Sequence, residues 1–172
     1  MTIRKFSVPE RPADEAERQA ALDAYGLTEP HANPQLDAIV EEAAGIFGVP
    51  TALISIVDRE RQWFPARVGM KAPSTPRSVS LCGHAINHAE PFIVPDATVD
   101  DRFAGNPLVI GVDGIRFYAG APLVTPEGFR LGTLCLIDRT PRAALSDDQI
   151  GRLKALAGKA MAILEKRRAE RG

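Results

Sequence analysis

The chain has 172 residues, 45% of them hydrophobic and 25% charged, with a formal net charge of −1. This length suits one domain with its own core, and the balanced charge excludes the strong basic field that draws proteins to nucleic acid. No stretch approaches the roughly 20 apolar residues that cross a bilayer, and the first residues lack the apolar core of a signal peptide. We therefore expect a cytoplasmic protein, without nucleic-acid or membrane partners, whose two cysteines are free thiols.

The chain begins with a tail and a helical pattern. We expect residues 1–12 to form a loose tail and residues 13–172 a single domain. Acidic residues open a helical pattern over 14–25, which Gly26 ends.

A second helix leads into the first strand. After a linker over 27–34, Asn33 and Pro34 have the residue types of an N-cap and a first helical turn. Apolar residues then recur at helical spacing until Gly48. The segment 51–58 is short and apolar on both faces, which predicts a central strand.

A polar turn after the central strand predicts a hairpin. Pro65 in the second strand indicates a sheet edge or a bulge. Three further strands are predicted over 91–96, 115–125 and 131–138.

The rest of the chain alternates these strands with a short helix, a long loop and a final helix. Ser80 is placed to cap a short helix that runs to about Ala89. The loop over 97–114 is rich in turn residues, and loops of that length inside a domain are often functional. Ser146 and Gln149 have the spacing of a capping box that opens a long C-terminal helix. The hairpins predict an α+β fold with a largely antiparallel sheet.

Several motifs between Phe64 and Arg142 together resemble one known family, the GAF domains. They are "FPARVG", "PRSVSLCGHAI", "EPFIVPDATVDDRFAGNPLV", "IRFYAGAPL" and "LGTLCLIDRTPR", in the order and close to the spacing of a large GAF subgroup. The resemblance implies a PAS-like fold in which a six-stranded antiparallel sheet carries the N- and C-terminal helices on one face. Loops and short helices would roof a ligand pocket on the other face, and the sixth strand would lie within 71–76.

The resemblance implies a role but no particular ligand or cofactor. GAF domains are sensory modules of bacterial signalling proteins, and those resembling this chain bind cyclic nucleotides, tetrapyrroles, metals or small metabolites. One branch consists of enzymes that reduce free methionine sulfoxide.

The segment 80–92 contains the most reactive side chains of the chain. Cys82 would occupy the first turn of its helix, where the helix dipole favours a thiolate, although a small buried side chain is the more common role of cysteine. His84 and His88 share a helix face, but no acidic residue one turn further along would complete a metal site. A haem ligated by His84 is a further alternative. We expect a structural role for both histidines, and no metal.

The resemblance raises two covalent alternatives for Cys82, and the residues argue against both. Bilin-binding relatives usually place a histidine directly after the cysteine, whereas Gly83 stands there in this chain. The methionine sulfoxide reductases carry their catalytic cysteine in the long loop, and the corresponding loop 97–114 contains none. Cys135, in a predicted strand, is expected to be a core residue.

Polar and aromatic side chains of two motifs complete the predicted pocket. Arg102 is expected to pair with Asp100 or Asp101. Arg116 would hold a carboxylate or phosphate, or else tie the long loop to Asp96 or Asp101. The candidate ligand-binding residues are Trp63, Cys82, His84, Asp96, Arg102, Phe103, Arg116 and Tyr118. Trp63 would be either a wall of the pocket or a hydrophobic anchor of the hairpin.

The last helix carries an apolar seam. Its apolar residues step by three and four, so the seam is able to pack on the sheet or on the same helix of a second subunit. The seam consists of Ile150, Leu153, Ala157, Ala160 and Leu164. We expect a homodimer through the terminal helices, as GAF domains often form.

These observations predict a free-standing, non-enzymatic GAF domain that binds a small molecule and signals through its terminal helices to a separate partner. Two alternatives stay open. One is a thiol enzyme similar to the free methionine-R-sulfoxide reductases and dependent on Cys82. The other is a dimerisation module whose pocket is filled by its own side chains.

Overall fold

The computed structural model describes residues 5–28 and 33–171, and its centre is one six-stranded sheet. The strand order is β3-β2-β1-β6-β5-β4, and every neighbouring pair is antiparallel. The predicted antiparallel α+β fold is therefore confirmed. The strands are β1 (Thr51–Val57), β2 (Arg61–Val68), β3 (Ser74–Pro76), β4 (Phe92–Val94), β5 (Phe117–Val124) and β6 (Arg130–Asp138).

Four α-helices accompany the sheet, and their ends follow the capping residues in the sequence. The Asn33 side chain accepts hydrogen bonds from the first turn of the second helix, and Gly26 and Gly48 end the first two helices in the left-handed conformation. Ser146 and Gln149 exchange both bonds of a capping box. The helices are α1 (Glu15–Tyr25), α2 (Pro34–Phe47), α3 (Leu81–Ala85) and α4 (Asp147–Arg171).

One predicted helix end differs from the structure, and two predicted segments lie partly outside the described residues. Helix α3 ends four residues before the expected Ala89, because the backbone N–H groups of Asn87 and His88 bond three residues back, in tighter turns than an α-helix makes. The predicted linker 27–34 lies partly outside the described residues, as do residues 1–4 of the predicted tail.

Pro65 lies in a bulge, as its position in the second strand predicted. Two residues of β2, Phe64 and Pro65, stand opposite the single residue between Ile54 and Ile56 of β1. The extra residue leaves an unpaired position where the missing N–H of proline costs no ladder bond. It also shifts the alternation of side chains by one residue, so that odd-numbered residues before the bulge and even-numbered residues after it face the same side of the sheet.

Strand alternation separates two apolar cores, one on each face of the sheet. Helices α1, α2 and α4 cover one face, where even-numbered residues of β1 and odd-numbered residues of β5 meet them. The opposite face is covered by α3 and the long loop over 97–114. This second core includes Leu53, Phe64, Phe103 and Tyr118. The protein therefore has a helical layer, a sheet and a roof.

The apolar seam of α4 packs on the protein's own sheet. Leu153, Ala157, Ala160 and Leu164 are buried in the core of the helical layer. Of the two partners predicted for this seam, the structure shows the sheet. These four residues are consequently unable to form a coiled coil with a second copy in this conformation.

Residues 5–12 form no helix or strand, yet hydrogen bonds attach part of this segment to the roof. The N–H of Gly105 donates to the carbonyl of Lys5 at 2.9 Å, and the N–H of Ser7 donates to the carbonyl of Arg102 at 2.8 Å. Further along, the Asn87 side chain donates to the carbonyl of Glu10 at 2.9 Å. The segment therefore lies along the roof before it enters α1.

A buried ion-pair network links α1 to the sheet. The Glu15 carboxylate accepts hydrogen bonds from Arg77 at 2.5 and 3.0 Å and from Arg18 at 3.1 and 3.2 Å. Arg18 is fully buried and also donates to the carbonyls of Arg130 and Leu131. Burial raises the pKa of the Glu15 carboxyl, but the hydrogen bonds from the two arginines outweigh it and hold that pKa well below its usual range.

Candidate functional site

A cavity of about 200 Å³ lies between the sheet and the roof. Its walls are mostly apolar side chains of strands β1, β2, β5 and β6, and α3 and the long loop close it from above. The lining residues are Thr51, Leu53, Gln62, Phe64, Gly69, Met70, Thr75, Leu81, Cys82, Leu108, Asp113, Ile115, Tyr118, Ile137 and Arg139. A concave, largely apolar space with a few polar groups is the usual form of a small-molecule site.

The cavity has one polar wall and a charged mouth. On the wall, the Gln62 amide donates to the Thr75 hydroxyl at 2.7 Å and accepts from the Ser55 hydroxyl at 3.1 Å. At the mouth, a guanidinium nitrogen of Arg139 lies 3.6 Å from a carboxylate oxygen of Asp113, and both side chains are largely exposed. A ligand able to use both features would be small, mainly apolar, and polar at one or both ends.

Side-chain hydrogen bonds to the backbone hold the roof in place. The Ser80 hydroxyl accepts from the N–H of Gly83 at 2.6 Å, which caps α3 as predicted. Asn106 is buried, donates to the carbonyl of Val79 at 3.0 Å and accepts from the N–H of Leu108 at 2.8 Å. The long loop is thus attached to the segment that precedes α3.

Cys82 and Tyr118 are the two predicted site residues that line the cavity. The Tyr118 hydroxyl donates to the Cys82 sulfur at 3.1 Å, and the Thr133 hydroxyl donates to it at 3.2 Å. Burial raises the pKa of the Cys82 thiol, but hydrogen bonds from Cys135 and from three hydroxyl groups outweigh it and lower the pKa. Burial raises the pKa of Tyr118 well above its usual value, so it stays a donor.

His84 and His88 lie on the roof and do not line the cavity. The His84 ring packs edge-on against Phe103 and lies 3.1 Å from the carbonyl of Ser7, while His88 stacks on Phe92. Burial, more than the nearby charge of Arg102, lowers the pKa of the His84 imidazole. Within residues 5–28 and 33–171, no group of three or more His, Cys, Asp or Glu side chains is placed to hold a metal ion.

Three more predicted site residues organise the roof loop instead of facing the cavity. Arg102 pairs with Asp100 at 2.7 Å, one of its two predicted partners, and lies over the Phe103 ring. Phe103 is fully buried in the roof core. Asp96 caps a short 3₁₀ turn by accepting from the N–H of Thr98 at 3.0 Å.

Trp63 and Arg116 are not among the residues that line the cavity. The bulge at Pro65 puts Trp63 on the helical face, where its indole N–H donates to the carbonyl of Leu27 at 2.7 Å. The guanidinium of Arg116 donates to the carbonyls of Val109 and Gly111 in the long loop. Arg116 therefore ties that loop through backbone carbonyls, not through Asp96 or Asp101.

Sequence reasoning missed the polar lining. Gln62 was detectable in principle, because it precedes the bulge and shares a strand face with Phe64. Asp113 and Arg139 follow no local pattern, since one lies in the long loop and the other just past the end of β6. Only the folded chain brings them together.

The sheet, the roof and the space between them define a small α+β domain built around a ligand-sized cavity. The model of the GAF domain family matches residues 32–164, which is most of the chain. The chain therefore belongs to the GAF domain family, as the motifs between Phe64 and Arg142 indicated. GAF domains bind small ligands and act in signalling.

Comparison with known proteins gives one close sequence relative and many structural ones. The chain is 46% identical over 157 residues to the protein named cyclic di-GMP phosphodiesterase PA2567 of Pseudomonas aeruginosa. The match covers 91% of this chain but only 27% of that protein, so the chain spans about a quarter of the relative's length.

Two solved structures show the shared fold. The GAF domain of the Acinetobacter phosphoenolpyruvate-protein phosphotransferase has a TM-score of 0.66 at 18% identity, covering 92% of this chain and 96% of that one. The free methionine-R-sulfoxide reductase of Neisseria meningitidis has a TM-score of 0.64 at 19% identity, covering 99% of both chains. In residues 5–28 and 33–171, no helix combines the length and apolar character that crossing a membrane requires.

Proposed function

We propose that this GAF domain is a non-enzymatic sensory module that binds a small molecule in the cavity between sheet and roof. The observation that carries the proposal is the cavity itself, which is lined mainly by apolar side chains together with the buried amide of Gln62 and lies on the sheet face away from the terminal helices. In a pure dimerisation module, we would instead expect the protein's own side chains to fill this space.

The walls favour a ligand with a flat or compact apolar body and a polar end. Leu53, Phe64 and Leu81 supply the apolar contacts, and Gln62 offers an amide already oriented by hydrogen bonds on both sides. An anionic or cationic end of the ligand would exchange with the exposed Asp113–Arg139 pair at the mouth.

The segment that lies along the roof offers a route from the cavity to the helical layer. Residues 5–7 bond to the long loop, and α1 begins at Glu15, a few residues later. A ligand that prefers one position of the roof would therefore also shift the start of α1. Binding changes the output only to the extent that the ligand prefers one of the two conformations.

The sequence relative suggests what kind of protein this domain regulates. Because the chain resembles about a quarter of a protein named a cyclic di-GMP phosphodiesterase, we place this domain as the sensory input to an enzyme of that type. A homodimer through the terminal helices stays part of the proposal. It would use surfaces outside the buried seam of α4.

A thermal-shift screen with nucleotides and small metabolites tests the proposal, using a cavity-filling variant as the discriminator. Leu108→Trp adds a large ring to the cavity wall, and Ile110→Trp adds the same ring to an exposed position two residues further along. We expect a ligand that raises the Tm of the wild type and of Ile110→Trp but not of Leu108→Trp. Equal stabilisation of all three proteins, or no stabilising compound, would refute the cavity as the sensory site.

The thiol reductase is the second candidate, and Cys82 in the cavity wall is the observation that favours it. Incubation with free methionine sulfoxide and dithiothreitol, followed by quantification of methionine, decides between the two. We expect no more methionine than from a Cys82→Ser control. Multiple turnovers that disappear in Cys82→Ser would replace the sensory proposal with an enzymatic one.

A further inference from the structure

The chain contains two cysteines, and the fold brings them together in the roof core. Cys82 lies on α3 and Cys135 on β6, 53 positions apart in sequence, yet their sulfur atoms are 3.9 Å apart. Both are free thiols, and both side chains are buried. A disulfide requires a sulfur–sulfur distance of about 2.05 Å, so the pair lies about 2 Å from bonding distance.

The surroundings of the two sulfur atoms differ. Cys82 accepts hydrogen bonds from the hydroxyl groups of Tyr118 and Thr133, which stabilise a thiolate in a buried position. The pKa of the Cys135 thiol is raised well above its usual value, because its hydrogen bond with Cys82 and its burial both favour the protonated form. Cys82 is therefore the nucleophile, and Cys135 stays protonated until its neighbour has reacted.

The two cysteines also differ in whether they are reached from the cavity. Cys82 lines the cavity, whereas Cys135 is fully buried behind it and is not part of the lining. A small neutral oxidant that enters through the mouth meets Cys82 first.

We propose that Cys82 and Cys135 form a reversible disulfide when a small hydroperoxide enters the cavity. The Cys82 sulfur attacks the terminal oxygen of the peroxide, the O–O bond breaks, and the leaving oxygen takes the thiol proton to become an alcohol or water. Cys82 is then a sulfenic acid. The Cys135 sulfur attacks the Cys82 sulfur, the S–O bond breaks, and the released hydroxide takes the Cys135 proton to form water. Two thiols are oxidised by two electrons, and one peroxide is reduced.

Bond formation has a structural consequence. Helix α3 has only five residues and forms part of the roof, whereas β6 is an interior strand of the sheet. Closing the sulfur–sulfur distance therefore moves the roof helix toward the sheet and narrows the cavity. This proposal does not depend on the identity of any ligand or on the output of the domain.

The test is oxidation of the folded protein with hydrogen peroxide, followed by thiol labelling in denaturant and intact mass measurement. In the wild type we expect both thiols to disappear together, with the mass reduced by two hydrogen atoms and both thiols restored by dithiothreitol. In Cys135→Ser we expect a sulfenic acid on Cys82 that dimedone traps. In Cys82→Ser we expect Cys135 to remain reduced over the same period.

Two further variants test the route and the hydrogen bonds. Tyr118→Phe removes one donor to the thiolate and is expected to slow oxidation about twofold to threefold, because a more nucleophilic thiolate partly offsets the smaller thiolate fraction. Leu108→Trp is expected to slow oxidation, and Ile110→Trp to leave the rate unchanged. Wild-type protein that gains oxygen atoms without losing both thiols, or Cys135 oxidised equally fast in Cys82→Ser, would overturn the proposal.

Discussion

Replacing Glu15 with glutamine is the most informative perturbation of the fold. The substitution keeps the shape of the side chain but removes the charge that Arg77 and Arg18 share. Both guanidinium groups would remain almost entirely buried, with 6% and 0% of their side-chain surface exposed. A buried charge without its partner is far more costly than an exposed one.

The expected loss of unfolding free energy follows from the burial of these ion pairs. Removing one partner of a buried ion pair costs about 3–5 kcal/mol. The Glu15 side chain retains 18% of its surface exposed, so water screens part of the interaction and we expect the low end, about 3 kcal/mol. With a urea dependence of about 2 kcal/mol per molar, the midpoint of unfolding should fall by about 1.5 M.

Urea unfolding at neutral pH, followed by circular dichroism, measures this loss. Glu17→Gln is the matched control, because Glu17 is an exposed acid in the first turn of the same helix and its substitution changes the net charge equally. We expect that control to lie within about 0.5 kcal/mol of the wild type. If Glu15→Gln costs no more than Glu17→Gln, the network does not stabilise the fold and the reasoning is wrong.

Three further predictions test pH dependence, backbone space and the roof. The pKa of Glu15 is lower in the folded protein than in the unfolded chain, so the ionised carboxylate stabilises the fold fully above the unfolded pKa of about 4.3 and progressively less as the pH falls below it. In urea titrations at progressively lower pH, the difference in unfolding free energy between wild type and Glu15→Gln should therefore shrink. Gly132→Ala should lower the unfolding free energy in urea by about 3 kcal/mol or more, because a Cβ there would lie 1.8 Å from the Ser55 carbonyl oxygen. In the control Gly158→Ala, on α4, the new Cβ meets nothing within 4 Å, and the variant should be about 0.5–1 kcal/mol more stable than the wild type. If the two variants changed stability by similar amounts, the close packing of β6 on β1 would be contradicted. Ser80→Ala removes the cap of α3 and should lower the unfolding free energy by about 1 kcal/mol and speed the alkylation of Cys82. An unchanged alkylation rate would show that the cap does not hold the roof in place.

Local features of the fold were predictable because their causes are local. An N-cap side chain such as Asn33 reaches only its own first turn, and Gly26 and Gly48 end helices by a backbone conformation that other residues adopt at a cost. Pro65 marks a bulge because it lacks an N–H to donate. The resemblance to the GAF family also predicted the order of helical layer, sheet and roof, which short local patterns do not determine.

The cavity was predictable only in part. Cys82 and Tyr118, which both belong to family motifs, line it. The sequence left open whether Trp63 lines the pocket or anchors the hairpin; the bulge two residues later directs its ring toward the helices. Arg116 was expected to bind a ligand or a carboxylate, yet the long loop presents backbone carbonyls that use its donors.

The sequence by itself determined the first turns of α2, α3 and α4 and the ends of α1 and α2, because capping residues act over only a few positions. Only the tertiary structure decided which side chains share a space. Cys82 meets Cys135 across 53 positions, and Asp113 meets Arg139 at the mouth of the cavity, through the pairing of strands and the course of the roof loop. Such contacts depend on how distant segments pack, and no short-range pattern encodes that packing.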